Sequence, residues 1–253
     1  MDDVLRSALR RLGPLSRVES FKREPVATQR RLLRTLLRTA ADTEWGQRYG
    51  FREIAEADDV VSAYQSRVPL HDYDDIREDA TRVRRGASDV MWPGRISHFA
   101  VSSGTVSDGK IIPVSEEIIN SNRAFSMGVG FNYLVDTFNV QLLLGKHLTL
   151  PGRIEEDENF PGTLVGEISG LLAENAPGYF RAIFQAVSNE VSFIPNWEQK
   201  LEKIAERTFD MDIRLLVMAP TWALVLFDKL IEVYNRRTGA SASTVGEVWP
   251  NLQ

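Results

Sequence analysis

The sequence predicts an α/β protein in which a helical N-terminal region precedes a domain with a largely parallel sheet. Helical periodicity dominates the first hundred residues. From Ile96 onward, short apolar runs typical of strands alternate with helical segments, which is the pattern of βαβ units. We therefore divide the chain into a helical region, residues 1–95, and residues 96–253, which we expect to form the α/β part of the same large domain.

Two helices stand out in the N-terminal region. The first follows Pro25, and its apolar face is formed by Leu32, Leu33, Leu36, Leu37 and Ala40. Arginines occupy the opposite face, so we expect the leucine face to pack on a core and the arginine face to be solvated. The second helix is predicted to begin near Asp72 and to end at Gly86, because glycine is favoured just beyond a last helical turn.

The α/β region alternates between the two kinds of element. Strands are predicted at 96–101, 111–114, 140–144 and 213–218. Helices are predicted at 115–136, 197–208 and 220–237. Ser115 and Asn196 can cap two of these helices, and Pro220 suits the first turn of the third. A further parallel strand is expected after the last helix, at the point where the sequence reaches Gln253, so we interpret the chain as a fragment.

Composition excludes several classes of function. The formal net charge of −5 lacks the basic excess of a nucleic-acid-binding protein. The chain has no cysteine, and His71, His98 and His147 lie far apart, so no metal site is predicted. The N-terminus lacks a signal-peptide pattern, and no apolar run reaches the ~20 residues of a membrane helix. We therefore expect a cytoplasmic protein with no membrane or nucleic-acid partner. The acidic stretch 155–158 is predicted to be a solvated loop.

The strongest functional signal is the segment from Ser102 to Lys110, which lies between two predicted strands. It combines hydroxyls, glycines and a lysine in the order Ser102, Ser103, Gly104, Thr105, Val106, Ser107, Asp108, Gly109 and Lys110. Glycines let backbone N–H groups turn toward an anion, hydroxyls add donors, and lysine adds positive charge. These features predict a phosphate-binding loop, although serine and glycine are also common in a mobile hairpin turn.

A Walker A loop is the first alternative for this segment. Gly104 to Lys110 fits G-x-x-x-x-G-K, but that motif requires Ser or Thr next and a helix that opens at the lysine. Here Ile111 follows, and the β-like run with Pro113 would interrupt a helix. The context therefore favours a loop between two strands, as in acyl-adenylate-forming enzymes.

The loop and its flanks resemble the ATP-binding motif of the Gretchen Hagen (auxin-responsive) family of acyl acid–amido synthetases. The resemblance is to a bacterial-type relative within this family. Further landmarks occur in the family's order. They are Thr43–Phe51 for "T-x-(F/Y)-G", Val68–Tyr73 for "V-P-x-x-x-Y", Ala219–Trp222 for "x-P-S-W" and Trp249–Leu252 for "W-P-N-L". Three features depart from the family: a loop one residue shorter, Val106 in place of Ser or Thr, and the negative charge of Asp108. The family's later motifs lie beyond Gln253.

The resemblance implies an acyl-adenylate-forming fold of the firefly luciferase-like superfamily, of which only the N-terminal portion is present. It also implies an ATP- and Mg²⁺-dependent ligase that joins a carboxylic acid to an amine, usually an amino acid, through an acyl-AMP. Lys110 would neutralise phosphate charge in catalysis. The residues that would cradle phosphate with it are Ser102, Ser103, Gly104, Thr105, Ser107 and Gly109. Phe125, Phe131 and Trp222 are candidates for the acyl pocket, although aromatic residues at helical spacing are more often core.

Two other functions stay open at this point. One is a truncated or remnant family member that folds or binds a partner without catalysis. The altered loop, with Val106 and Asp108, would be consistent with such a protein. The other is a phosphoryl-transfer ATPase, which would release phosphate and not pyrophosphate.

Overall fold

The computed structural model describes residues 21–102 and 110–252. The chain forms two compact units, Met1–Thr137 with Glu155–Val165, and Phe138–Ile154 with Gly166–Gln253. A helical region followed by an α/β region is confirmed, while the division at residue 95 stays a prediction. Within the described ranges, every helix is too short or too polar to cross a membrane.

Helices come first in the first unit. They are α1 (Pro25–Thr39), α2 (Glu44–Tyr49), α3 (Phe51–Glu56), α4 (Val60–Arg67) and α5 (Tyr73–Arg84). As predicted, α5 follows Asp72, whose carboxylate accepts the backbone N–H groups of Asp74 at 2.8 Å and Asp75 at 3.2 Å. Gly86 just beyond this helix has a φ of 97°, which favours glycine.

The leucine face of α1 is only partly buried. Leu37 and Ala40 pack into a cluster with Ile54 and Val60, as the apolar pattern predicts. Leu32 and Leu36, in contrast, are 56% and 43% exposed. Leu33 packs against the same cluster, so the core of the first unit covers the stripe of Leu33, Leu37 and Ala40 and leaves the rest of the predicted face exposed.

A sheet in the order β2-β1-β5-β4 follows these helices. Its strands are β1 (His98–Ser102), β2 (Lys110–Val114), β4 (Ile154–Glu156) and β5 (Leu164–Gly166), and α6 (Glu116–Thr137) follows β2. β1 and β2 pair antiparallel, because the connection at 103–109 is too short for the crossover that a parallel pair needs. Phe99 of β1 is fully buried against Val83, Val90 and Val165. α6 confirms the helix predicted from Ser115.

The second unit contains a parallel strand pair, β3 (Lys146–Thr149) with β6 (Ile213–Val217). The remaining elements of this unit are the 3-10 helix Val140–Leu143, α7 (Ile168–Glu174), α8 (Gly178–Phe184), α9 (Asn189–Ser192), α10 (Trp197–Thr208), α11 (Pro220–Thr238) and α12 (Val245–Val248). The buried strand predicted at 140–144 is wrong. The Asn139 side chain accepts the N–H of Gln141 at 3.1 Å and starts a helical turn, which leaves Val140 and Leu144 exposed.

Local signals place α10 and α11 of the second unit correctly. Asn196 caps α10 by accepting the N–H of Gln199 at 2.8 Å. α11 starts at Pro220 and ends at Thr238, and Gly239 just beyond it adopts the left-handed conformation. Trp249 is 1% exposed in the core of this unit, and its indole N–H donates to the Thr208 carbonyl at 2.8 Å.

The acidic stretch 155–158 is not a fully solvated loop, contrary to the prediction. Its first two residues belong to β4, and the side chain of Asp157 is only 2% exposed. Arg84 at the end of α5 donates to the Asp157 carboxylate from Nε at 2.6 Å. The buried charge is thus compensated by a cation 73 residues away in sequence.

Candidate phosphate-binding site

The loop end of the β1–β2 hairpin, where Ser102 and Lys110 flank the connection, is the part of the predicted site that the structure describes. Ser102 and Lys110 are directly opposed in the antiparallel register, so their Cα atoms lie about 5 Å apart. The other predicted loop residues, Ser103, Gly104, Thr105, Ser107 and Gly109, lie outside the described residues. The hairpin therefore brings the first hydroxyl and the lysine of the segment to the same end of one strand pair.

Lys110 begins a strand, and β2 runs on through Ile111 to Val114. A P-loop lysine would instead open a helix. The lysine is exposed, and its Nζ lies 5.4 Å from the centre of the Tyr73 ring, within cation–π distance. The guanidinium of Arg77 lies 5.5 Å from the same ring. The Tyr73 ring thus lies within cation–π distance of two cations near the loop end of the hairpin.

Tyr73 also contacts the backbone of β2. Its hydroxyl accepts the N–H of Ile111 at 2.9 Å and donates to the Ile111 carbonyl at 3.2 Å. The sequence identifies Tyr73 only as part of the "V-P-x-x-x-Y" landmark and predicts no role for it at the loop. Nothing in the local sequence pairs it with a strand 38 residues further on.

A polar cavity of about 260 Å³ lies at the other end of the hairpin, where His98 pairs with Val114. Burial lowers the pKa of His98, against a smaller opposing effect of Glu116. Hydrogen bonds from its own backbone N–H, from Ser115 and from the Trp92 indole lower the pKa of Glu117. Four residues of extended chain separate the two ends by ~13 Å, so this cavity is distinct from the predicted loop site.

The proposed acyl-pocket residues fall in different units. Phe125 and Phe131 lie on α6 of the first unit and are 70% and 42% exposed, so they are not core residues. Trp222 belongs to the second unit, where its ring lies 5.2 Å from that of Trp197 in an edge-on contact and packs against the core. A role in acid binding stays a prediction for all three. Over 21–102 and 110–252, the structure shows no group of three or more His, Asp or Glu placed to hold a metal ion.

Two solved structures share this fold. The "GH3.15 acyl acid amido synthetase" superposes with a TM-score of 0.68 at 17% identity, over 94% of this chain and 50% of that chain. The "AtGH3.15 acyl acid amido synthetase in complex with 2,4-DB" also gives 0.68, at 20% identity, over 95% of this chain and 44% of that chain. The fold is therefore that of the N-terminal part of an acyl acid amido synthetase.

The chain belongs to the GH3 family, since residues 14–152 and 132–253 match the family model described as "GH3 family N-terminal domain". The resemblance to the Gretchen Hagen family is thereby confirmed. Among curated relatives, the probable indole-3-acetic acid-amido synthetase GH3.1 of Oryza sativa subsp. japonica is 35% identical over 102 residues, 39% of this chain and 16% of that protein.

A second relative, the indole-3-acetic acid-amido synthetase GH3.4 of Arabidopsis thaliana, is 29% identical over 108 residues, 42% of this chain and 17% of that protein. These relatives are acid–amido synthetases, so the family is one of ligases. The chain spans at most half the length of the solved relatives.

Proposed function

We propose that this chain carries the phosphate-binding part of an ATP-dependent acid–amino acid ligase. The observation that supports the proposal is the opposition of Ser102 and Lys110 at the end of the hairpin. These two residues flank the segment that resembles the family's ATP-binding motif. The substrates would be a small carboxylic acid and an amino acid, and a cytoplasmic location, where ATP is abundant, goes with this function.

The chemistry explains why a fixed cation is useful at this position. Attack of the acid's carboxylate oxygen on the α-phosphorus of ATP forms an acyl-AMP, and the bond to the leaving pyrophosphate breaks. The amine then attacks the acyl carbon, AMP leaves, and the nitrogen loses a proton. Lys110 would stabilise the charge that moves onto the pyrophosphate, an interaction of about 4 kcal/mol at 4 Å in a medium of effective dielectric constant 20.

Mg²⁺ fits this site as a companion of ATP and not as a resident metal. In the described part of the chain, no cluster of carboxylates or histidines is placed to form a metal cage. Magnesium commonly keeps several waters and is held by substrate phosphates with one or two protein ligands. When bound, it would neutralise phosphate charge beside Lys110 and Ser102.

The first experiment is a melting-temperature measurement with and without Mg-ATP. Ligand at a hundredfold excess over its dissociation constant stabilises the native state by about 2.7 kcal/mol, which should raise the transition of the wild-type chain. Lys110→Ala should lose this rise. Lys203→Ala is the matched control, because Lys203 pairs with Glu206 on α10 of the other unit and should respond like the wild type.

Product analysis separates the remaining functions. ATP–pyrophosphate exchange that depends on an added carboxylic acid would support the ligase. Release of inorganic phosphate would indicate a phosphoryl-transfer ATPase, against which the strand at Lys110 already counts. A cooperatively folded chain that neither binds Mg-ATP nor exchanges pyrophosphate would contradict the proposal and favour a non-catalytic family member.

A further inference from the structure

At the outer edge of β2, the backbone groups of Ile111 hydrogen-bond to a side chain and not to another strand. β2 is the terminal strand in the order β2-β1-β5-β4, and such a strand has backbone groups that point away from the sheet. At Ile111, both of these groups bond to the Tyr73 hydroxyl, at 2.9 Å for the N–H and 3.2 Å for the carbonyl. The hydroxyl donates its one hydrogen and accepts one, so both of its roles are used.

The ring of Tyr73 contacts Lys110, the residue before Ile111. Lys110 Nζ lies 5.4 Å from the ring centre, so one side chain holds the backbone of Ile111 and the ammonium group of Lys110. Tyr73 itself is fixed at the first turn of α5 by the capping box of Asp72 and Asp75. The contact therefore favours an orientation of the exposed lysine side chain in which its ammonium group lies beside the first turn of α5.

We propose that Tyr73 is a positioning residue that orients the Lys110 ammonium group for phosphate binding at the end of the hairpin where Lys110 opposes Ser102. This inference rests on the proposed function. A lysine that is already oriented loses less side-chain freedom when phosphate binds, so the contact strengthens binding without adding charge. The ring and the hydroxyl make separate contributions, because one contacts the ammonium group and the other fixes the strand that carries it.

Two variants separate these contributions. Tyr73→Phe keeps the ring and removes both hydrogen bonds of the hydroxyl to Ile111, and we expect the Mg-ATP dissociation constant to rise by up to about tenfold. Tyr73→Leu also removes the cation–π contact, which should weaken binding by roughly another two- to fivefold. Tyr49→Phe is the control, because it removes a hydroxyl whose partner is the His71 side chain at 3.1 Å and not the hairpin.

A double-mutant cycle distinguishes positioning from general stability. If Tyr73 acts through Lys110, Tyr73→Leu should weaken Mg-ATP binding little further in a Lys110→Ala background. Equal effects of Tyr73→Leu with and without Lys110 would overturn the inference, as would unchanged binding in a folded Tyr73→Leu chain.

A measurement without ligand separates this inference from the proposed function. In protein with ¹³C-labelled lysine, the ε-methylene protons of Lys110 should be shifted by the Tyr73 ring current in the wild type and in Tyr73→Phe. They should return to ordinary values in Tyr73→Leu, and Lys110→Ala identifies the signal. If the wild type shows this shift but no Mg-ATP binding, the proposed function fails while the tie between Tyr73 and Lys110 stands. Absence of the shift in the wild type would overturn the tie itself.

Discussion

Replacing Arg84 tests the ion pair that the structure places in the first unit. The Asp157 carboxylate is 2% exposed, and it accepts hydrogen bonds from Arg84 Nε at 2.6 Å and from the Asn159 N–H at 3.0 Å. Arg84→Met removes the only cation among these donors, while the aliphatic stem is largely kept. The neutral Asn159 N–H then remains as a donor to the buried carboxylate.

The expected loss of stability follows from this burial. Two unit charges about 4 Å apart at an effective dielectric constant of 20 interact by ~4 kcal/mol. Breaking a buried pair by removing one partner commonly costs about 3–5 kcal/mol, because the remaining charge is left uncompensated. The guanidinium also lies 5.3 Å from the centre of the Phe160 ring, a contact that is lost as well. We expect Arg84→Met to lower the free energy of unfolding by about 3–5 kcal/mol.

Urea unfolding followed by circular dichroism measures this loss as a lower midpoint. Arg38→Met is the matched control, since Arg38 and Glu56 form an exposed pair, with 57% and 66% of their side chains accessible, that should contribute at most about 1 kcal/mol. Adding Asp157→Asn to Arg84→Met should restore part of the loss by removing the buried charge. A loss for Arg84→Met no larger than for Arg38→Met, or no recovery in the double variant, would refute this reasoning.

Three further changes act on the second unit. Burial lowers the pKa of the Lys200 ammonium group below 10.5, with a smaller opposing effect of Glu167. Because the unfolded chain holds this proton to higher pH, the free energy of unfolding should rise with pH between the folded pKa and 10.5. Lys200→Met should abolish that slope in urea unfolding measured across this pH range. Asn196→Ala removes the cap of α10 and should cost about 1 kcal/mol in thermal unfolding, whereas an unchanged melting temperature would contradict the capping role. Trp249→Phe removes the indole donor of the buried Thr208 carbonyl, which keeps the Met211 N–H at 3.0 Å, and should cost about 0.5–1.5 kcal/mol by urea unfolding; an unchanged unfolding midpoint would contradict it.

The sequence predicts elements well where the decisive contact is local. Asp72 and Asn196 cap helices through backbone groups within three residues, and both helix starts are predicted correctly. Pro220 and Gly239 likewise mark the two ends of α11. At each of these positions, the conformational preference of one residue is enough to fix a boundary.

Prediction fails where the outcome depends on distant residues or on an ambiguous period. The apolar run 140–144 suits a buried strand as well as a short helix, and periodicity alone does not separate them. The side chain of Asp157 is buried because Arg84 approaches from α5, which no local pattern around 155–158 reveals. The exposure of Phe125 and Phe131 could not be predicted either, because their helical spacing also suits residues that pack in a core.

The candidate site shows the same division between local and distant information. The composition of the segment from Ser102 to Lys110 predicts phosphate binding, and the β-like run after Lys110 predicts a strand, which the structure confirms. The link from Tyr73 to this strand could not be predicted, because it joins two landmarks that are separate in sequence. The Tyr73 hydroxyl donates to the carbonyl of Ile111 and accepts from its N–H, and so joins the "V-P-x-x-x-Y" segment to strand β2. Substitutions in the first turn of α5 should therefore affect phosphate binding although that helix carries no residue of the loop.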